Sequence, residues 1–195
     1  MRQSTEIRQE QIKQAVLDII YTDGLNKLST RNLAKRISMS EGAIFRHFAT
    51  KQDIILSIIK DVEKEFVGSL RTIAASEDSP EVRLNNLLCR TINYLTDNKG
   101  ITMLMFSEAS HSNDTQLKKM LQLIFNTQKK LVSKIILDGI TSGVWDESIY
   151  VENVAMLYMG IPISLNIELI LSSGDFDTSN FCNRMLNLIL RILKK

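Results

Sequence analysis

The stretch STRNLAKRISMSEGAIFRHFATK, residues 29–51, contains two short helical patterns on either side of a break at residues 38–40. Their apolar residues have the spacing of one helix face, and these are Leu33, Ala34 and Ile37 in the first and Ile44 and Phe48 in the second. Ser40 is a favoured N-cap residue for the second helix. Two short helices joined in this way predict a helix-turn-helix, in which the second helix enters the major groove of DNA.

Positive charge is concentrated in the same part of the chain. Residues 27–51 contain six basic residues and one acid, Glu41, so they carry a net charge of +5. The whole chain of 195 residues carries +2. The six are Lys27, Arg31, Lys35, Arg36, Arg46 and Lys51. Attraction to a polyanion is therefore expected in the N-terminal quarter alone. A solvated basic face is the alternative, and the coincidence with the two-helix pattern disfavours it.

The rest of the chain has helical periodicity and no convincing strand. With 44% hydrophobic residues, two prolines and eight glycines, its composition favours long helices. Thr50 and Asp53 resemble a capping box, and Ser79-Pro80 is a helix start signal. Outside the helix-turn-helix the predicted helices cover residues 12–23, 50–73, 79–98, 102–110, 114–142, 151–171 and 178–193.

The helices at 151–171 and 178–193 are apolar on most sides, so most of their surface has to be covered. A membrane span is one alternative for residues 151–171, but polar residues inside the run, such as Asn166 and Glu168, disfavour it. We expect a second copy of the chain to cover them, the other alternative being a central position inside a monomer. The expected dimer contacts are Tyr158, Ile163, Met185, Leu188, Ile189 and Ile192.

Cys89 and Cys182 are the two cysteines of the chain. The N-terminus has no apolar segment typical of a secretory signal, which favours a cytoplasmic protein. Lone cysteines in such a protein are usually reduced and buried, so the sequence predicts no disulfide.

Residues 12–62 resemble the TetR family of transcriptional repressors. The most specific part is Ser40-Glu41-Gly42-Ala43-Ile44-Phe45-Arg46-His47-Phe48 with Lys51 after it. The resemblance implies an all-α fold, in which a three-helix DNA-binding domain (1–50) is joined by a long helix to a helical effector-binding and dimerisation domain (51–195). It also implies a homodimer on a palindromic operator of double-stranded DNA, released when a small-molecule effector binds.

The resemblance also implies which residues contact DNA. They are Thr30, Arg31, Ser40, Glu41, Gly42, Ala43, Phe45, Arg46, His47 and Lys51. Arg46 is able to form two hydrogen bonds with a guanine, although a phosphate contact is equally open. Phe45 stands where the family usually has tyrosine, so a phosphate contact through a phenol oxygen is lost, or the ring packs on a sugar or a thymine methyl.

An effector site is harder to predict from this sequence. Soft apolar side chains with one amide are candidates for its lining, although such residues are more often plain core: Met103, Phe106, Phe125, Gln128, Met156 and Met159. A hydrophobic or acyl effector is the preferred class. No catalytic, metal or cofactor motif is recognised, so we expect no enzyme and no membrane partner. The alternative function is a helix-turn-helix protein that acts mainly through protein contacts, with DNA as an anchor.

Overall fold

The structure, a computed structural model, describes residues 4–111, 114–172, 177 and 179–194, and in these its regular elements are helices. A π-helical segment, Val62–Val67, lies between the fourth and fifth α-helices. The α-helices are α1 Thr5–Thr22, α2 Thr30–Arg36, α3 Glu41–Phe45, α4 Lys51–Asp61, α5 Gly68–Ala74, α6 Pro80–Asp97, α7 Ile101–His111, α8 Thr115–Thr141, α9 Val151–Leu171 and α10 Phe181–Leu193. The predicted all-α fold class is confirmed.

The chain divides into two compact units. Unit 1 consists of Met1–Lys64 with Asn98–Gln122, and unit 2 consists of Glu65–Asp97 with Leu123–Lys195. The helix-turn-helix therefore shares a unit with α4 and α7, while α6, α9 and α10 belong to the other. The functional boundary predicted after residue 50 is a different division of the chain, and it stays a prediction.

Local capping explains where the helices of unit 1 begin. The Ser40 hydroxyl accepts a hydrogen bond from the backbone nitrogen of Ala43 over 3.1 Å, which starts α3. Thr50 and Asp53 form the predicted capping box at the start of α4. Each of these caps satisfies backbone N–H groups that have no partner within the helix.

The break between α2 and α3 is a Schellman turn. Met39 N donates to Ala34 O over 2.9 Å and Ser38 N donates to Lys35 O over 3.3 Å. Ser38 has a φ of +53°, a left-handed conformation that glycine adopts more readily. This turn ends α2 and fixes the direction in which α3 starts.

Helix α1 is the centre of unit 1 and contacts α2, α4 and α7. The Lys13 ammonium pairs with Asp61 and Glu10. Burial acts to lower the pKa of Lys13, but these two partners outweigh it and raise that pKa above its ordinary value. Gly100 has a φ of +89°, and a Cβ there would lie 2.4 Å from Leu17 O, so only glycine lets this turn approach α1.

The sequence predicts one uninterrupted α-helix over residues 50–73, and this prediction is wrong in one detail. Residues Val62–Val67 form a π-helical segment between α4 and α5. A π turn accommodates one extra residue. The last two residues of the π segment, Phe66 and Val67, belong to unit 2, and both of their side chains are buried. Phe66 stacks on Tyr94 of α6 with a ring-centroid distance of 4.1 Å.

In unit 2, α6 contacts α5, α9 and α10. The Tyr158 hydroxyl donates to Leu84 O, and Asn166 Nδ2 donates to Leu95 O over 3.4 Å, so α9 bonds to the backbone of α6 at two levels. Burial raises the pKa of Tyr158 well above its ordinary value. Within the described residues α9 is the one helix long and apolar enough to cross a membrane, but these polar contacts are typical of a core helix.

Arg83 is a buried cation of unit 2, with 7% of its surface exposed. Its Nη1 donates to Asp138 Oδ2 over 2.9 Å and to Ala74 O over 3.0 Å, which ties α5, α6 and α8 together. Burial acts to raise the pKa of Asp138, but hydrogen bonds from Lys134 and Arg83 outweigh it and hold that pKa below its ordinary value.

Cys89 of α6 and Cys182 of α10 form a disulfide, with their Cα atoms 5.5 Å apart. The prediction of two reduced, unconnected thiols is therefore wrong. The two residues are separated by 93 positions, so no local pattern shows that α6 and α10 pack side by side at this point.

Trp145 follows α8 and folds back onto it. Its ring is 2% exposed, and a Cβ at Gly139 would lie 2.1 Å from a ring carbon, so the ring fits only over a glycine. The next residue, Asp146, donates its backbone N–H to Leu193 O over 3.0 Å. The turn after α8 is thereby hydrogen-bonded to the end of α10.

Candidate DNA-binding surface

Helices α2 and α3 contact each other in unit 1, in the sequential arrangement of a helix-turn-helix. Five of the predicted contact residues with long or polar side chains are exposed there: Arg31, Ser40, Glu41, Arg46 and Lys51. Thr30, the first residue of α2, is half-buried after the N-cap Ser29, and its position at a helix N-terminus suits a phosphate.

Helix α3 presents one face to the core and the opposite face to solvent. Ile44 is fully buried, whereas Gly42, Phe45 and Arg46 are exposed and Ala43 is half-buried. Phe45 is 46% exposed although it is a large apolar residue. Helical side chains lean back toward the preceding turn, and the residue one turn before Phe45 is Gly42, where a Cβ would meet nothing within 4 Å. This face is open to a close approach by a base pair.

Lys51 is the first residue of α4, directly after the N-cap Thr50. A positive charge is unfavourable at the N-terminal end of a helix dipole, so local helix stability does not explain why a lysine stands at this position. The free N–H groups of a helix start and a lysine side chain together attract an anion. Its position therefore suits a phosphate contact.

His47 follows α3 and is half-buried. Its Nδ1 is buried without a hydrogen-bond partner among the described residues. A proton on Nε2 avoids burying an unpaired Nδ1–H group, and Nε2–H is then the donor for an external oxygen. The backbone of His47 is held in place, because His47 O accepts a hydrogen bond from Gln9 Nε2 over 3.2 Å.

Sequence reasoning did not identify the residues that position this surface. Gln9 holds the backbone after α3, and Asn32 Nδ2 donates to Lys27 O over 2.8 Å. Arg36 is counted among the basic residues, but it pairs with Asp23 and its guanidinium also donates to Thr22 Oγ1. Its charge is thus directed to the end of α1. Gln9 and Asp23 lie too far along the chain for a periodic pattern to reveal these pairs.

The helix-turn-helix segment matches a known family model. Residues 14–58 match the model described as bacterial regulatory proteins, tetR family. This segment is of the TetR type. The match runs from the second half of α1 to most of α4, a segment that contains the exposed contact residues.

Two kinds of relative extend the comparison. The nucleoid occlusion factor SlmA of Actinobacillus pleuropneumoniae is 25% identical over 126 residues, which cover 64% of this chain and 62% of that protein. The ketosteroid transcriptional regulator KstR2 of Mycobacterium tuberculosis superposes with a TM-score of 0.82 over 100% of this chain and 97% of its own, at 15% identity. FadR of Bacillus subtilis, solved with stearoyl-CoA, gives 0.74 over 92% and 96%, at 18% identity. These two structures show a shared fold.

The structure places the candidate effector residues in different settings. Met103 and Phe106 belong to α7 of unit 1, where Phe106 is exposed, while the other four belong to unit 2. Of those four, Met159 is buried, Gln128 is half-buried, and Phe125 and Met156 are exposed. An effector site lined by all six stays a prediction.

The candidate dimer residues also separate by exposure. Leu188 and Ile192 are exposed on α10, and Ile163 and Met185 are half-buried. Tyr158 and Ile189, at 2% and 4% exposure, are buried within one protomer, so their place on the contact surface is corrected. Both have packing partners inside unit 2, which an apolar pattern alone does not distinguish from partners in a second subunit.

Between residues 107 and 114 the sequence has too few strong ligands for a closed metal site. The side chain of His111 and residues 112–113 lie outside the described part of the chain. In the part that is described, no group of three histidine, cysteine or acidic residues could hold a metal ion.

Proposed function

We propose that this chain is a TetR-type transcriptional repressor that binds a palindromic operator as a homodimer and is released by a small hydrophobic effector. The observation that carries the proposal is the open face of α3, where Arg46 and Phe45 are exposed beside Gly42. A guanidinium can form two hydrogen bonds with a guanine, and an apolar ring can contact a thymine methyl. The proposal assigns the chain binding functions and no catalytic step, and it places the protein with DNA in the cytoplasm.

Exposed apolar side chains on α9 and α10 support the homodimer. They are Met156, Leu157, Ile167 and Leu171 on α9 and Leu188 and Ile192 on α10, each between 46% and 76% exposed. The two helices contact each other, and exposed apolar side chains on neighbouring helices are typical of an interaction site. A two-fold dimer is expected to bind a palindromic operator, because each protomer contacts one half-site. The two half-sites then lie about 34–36 Å apart, one turn of DNA.

The effector is proposed from composition and from a relative. Unit 2 contains Met159 in its buried interior, with Gln128 half-buried and Phe125 and Met156 near its surface. Methionine and aromatic side chains adapt to flexible apolar ligands. FadR of Bacillus subtilis, which has the same fold, was solved in complex with stearoyl-CoA. A long-chain acyl thioester is therefore the first effector to test.

The test is fluorescence anisotropy of a labelled duplex from the region upstream of the chain's own gene. We expect saturable binding that a scrambled duplex of equal composition does not show. Stearoyl-CoA should weaken operator binding by about 5–150-fold, the range of a coupling of 1–3 kcal/mol, while CoA alone should not. Equal binding to both duplexes would contradict operator recognition, and release by neither compound would contradict an acyl effector.

A second function is favoured by the similarity to the nucleoid occlusion factor SlmA. In this alternative, DNA is an anchor and the protein acts through contacts with another protein. Chromosome-wide mapping of bound sites separates the two functions. A few sites beside promoters support the repressor, whereas many sites without relation to promoters support the alternative.

A further inference from the structure

We propose that Cys89 and Cys182 are a redox-modification site, oxidised by a hydroperoxide, whose disulfide fixes the first turn of α10 on α6. The two residues are the complete cysteine content of the chain, and the fold brings them into bonding distance across 93 residues. Both are half-buried, so a small oxidant can reach them from solvent. A purely structural cysteine in a core is usually fully buried.

The two thiols have unequal surroundings. Cys182 is the second residue of α10, a helix of 13 residues, and Cys89 lies in the middle of α6. Asn180, the N-cap residue, makes no side-chain capping hydrogen bond within the described residues, so its side chain does not offset the positive end of the α10 dipole. A helix N-terminus favours the thiolate form, which is the nucleophile. Cys182 is thus the attacking thiol and Cys89 the resolving one.

Asn85, one turn before Cys89 on α6, provides for the reduced state. Its Oδ1 lies 3.7 Å from Cys89 Sγ and 4.0 Å from Cys182 Sγ. When the bond is open, either S–H group can donate to this oxygen. The pair therefore has a polar partner in the reduced state and a covalent bond in the oxidised state, as a reversible site requires.

The chemistry has two balanced steps. The Cys182 thiolate attacks the hydroperoxide, the O–O bond breaks, and the products are the Cys182 sulfenic acid and an alcohol after one proton is taken up. The Cys89 sulfur then attacks the sulfenic sulfur, and one water leaves as the S–S bond forms. In total, two thiols and one hydroperoxide give one disulfide, one alcohol and one water.

The consequence for function rests on the dimer proposed above. Cys182 lies in the first turn of the helix that exposes Leu188 and Ile192, so the disulfide limits the movement of this apolar face relative to α6. A fixed face loses less conformational freedom when it binds a partner. Oxidation should therefore tighten the dimer, and reduction should loosen it.

The first experiment counts thiols by intact mass after alkylation with N-ethylmaleimide in denaturant. The full chain should take up two labels after dithiothreitol and none after cumene hydroperoxide. A sulfenic acid trap should label Cys182 in the Cys89→Ser variant and leave Cys89 unlabelled in the Cys182→Ser variant. Two labels after the hydroperoxide would overturn the site, and equal trapping of both cysteines would overturn the assignment of Cys182 as the attacking thiol.

The second experiment measures the dimer dissociation constant by sedimentation for both redox states. We expect reduction to raise it by about fivefold or more, the lower end of coupling between sites. The Cys89→Ser/Cys182→Ser double variant should respond to neither reagent. An unchanged constant in the wild type would show an inert crosslink and overturn the regulatory role. If neither redox state dimerises or binds DNA, the proposed function fails, while the thiol count still decides whether the site exists.

Discussion

Helix α3 and helix α9 expose apolar side chains in very different settings. On α3 one ring, Phe45, lies beside the charged side chains Glu41 and Arg46. On α9 four large apolar residues are exposed along 21 residues that contain few charges. The first setting indicates contact with a polar, charged molecule that has local apolar groups, as DNA has. The second indicates a protein surface. The same apolar exposure therefore has a different meaning according to the charges around it.

The largest effect should come from a charge on the α10 surface. Leu188→Glu would place a carboxylate in the proposed dimer contact, where an uncompensated charge costs about 3–5 kcal/mol. The dimer should weaken by roughly 10²–10⁴-fold, measured by analytical ultracentrifugation. Leu137→Glu on α8 is the matched control, since Leu137 is 54% exposed against 50% for Leu188. A dimer that tolerates Leu188→Glu would move the interface elsewhere.

A loss of stability should follow from changes at the buried cation of unit 2. Arg83→Leu removes the hydrogen bonds to Asp138 and Ala74, and we expect the free energy of unfolding to fall by about 1.5–3 kcal/mol. Lys134→Met removes the other partner of Asp138, but Lys134 is exposed, so a loss of about 0–1 kcal/mol is expected. Equal losses in the two variants would mean that burial of Arg83 is not decisive.

The pH dependence provides a second check on the same pair. The pKa of Asp138 is lowered in the folded state, so its ionic contribution is present above the unfolded value and is lost as the pH falls through the folded one. The penalty of Arg83→Leu should therefore be constant near neutral pH and decrease below about pH 4. A penalty that grows in acid would contradict the pairing.

A smaller effect should distinguish Phe45 from its charged neighbours. Replacing thymine by uracil removes one methyl group, so a contact with Phe45 should be worth about 0.8 kcal/mol, or roughly fourfold in Kd. Scanning each thymine of the operator should find such a position for the wild type and not for Phe45→Ala. Ile7→Ala, an exposed apolar residue of α1, should keep the wild-type response. A scan without any sensitive thymine would assign Phe45 to the sugar or to solvent.

The smallest change should appear in the salt dependence of DNA binding. Lys51→Ala should lower the slope of log K against log salt by about 0.9, the value for one phosphate contact. Lys60 is exposed on the same helix, and Lys60→Ala should leave the slope unchanged. A similar decrease in both variants would indicate general charge attraction in place of a defined contact.

Sequence reasoning succeeded where the signal was local. The Thr50–Asp53 capping box and the start of α6 at Pro80 depend on residues within one turn, and both are confirmed. The left-handed turn at Ser38 was not anticipated in detail, because serine is not the usual residue for it. The helix-turn-helix could be recognised because its pattern is contained in one short segment.

Features that depend on distant residues could not be predicted. The Cys89–Cys182 bond, the ion pair of Arg36 with Asp23 and the contact of Gln9 with His47 all join different helices. Tyr158 and Ile189 were assigned to the dimer surface because an apolar helix does not show which of its faces is covered by its own chain. Tertiary packing decides this, and periodicity does not report it.

The chain contains one tryptophan, Trp145, which lies in unit 2 and is 2% exposed. Indole emission shifts to longer wavelength when the ring enters water, so the intrinsic fluorescence of this protein reports on unit 2 and is silent on local changes in unit 1. Circular dichroism at 222 nm records the helices of both units. A difference between the two melting curves would show that the units unfold separately, without any label or substitution.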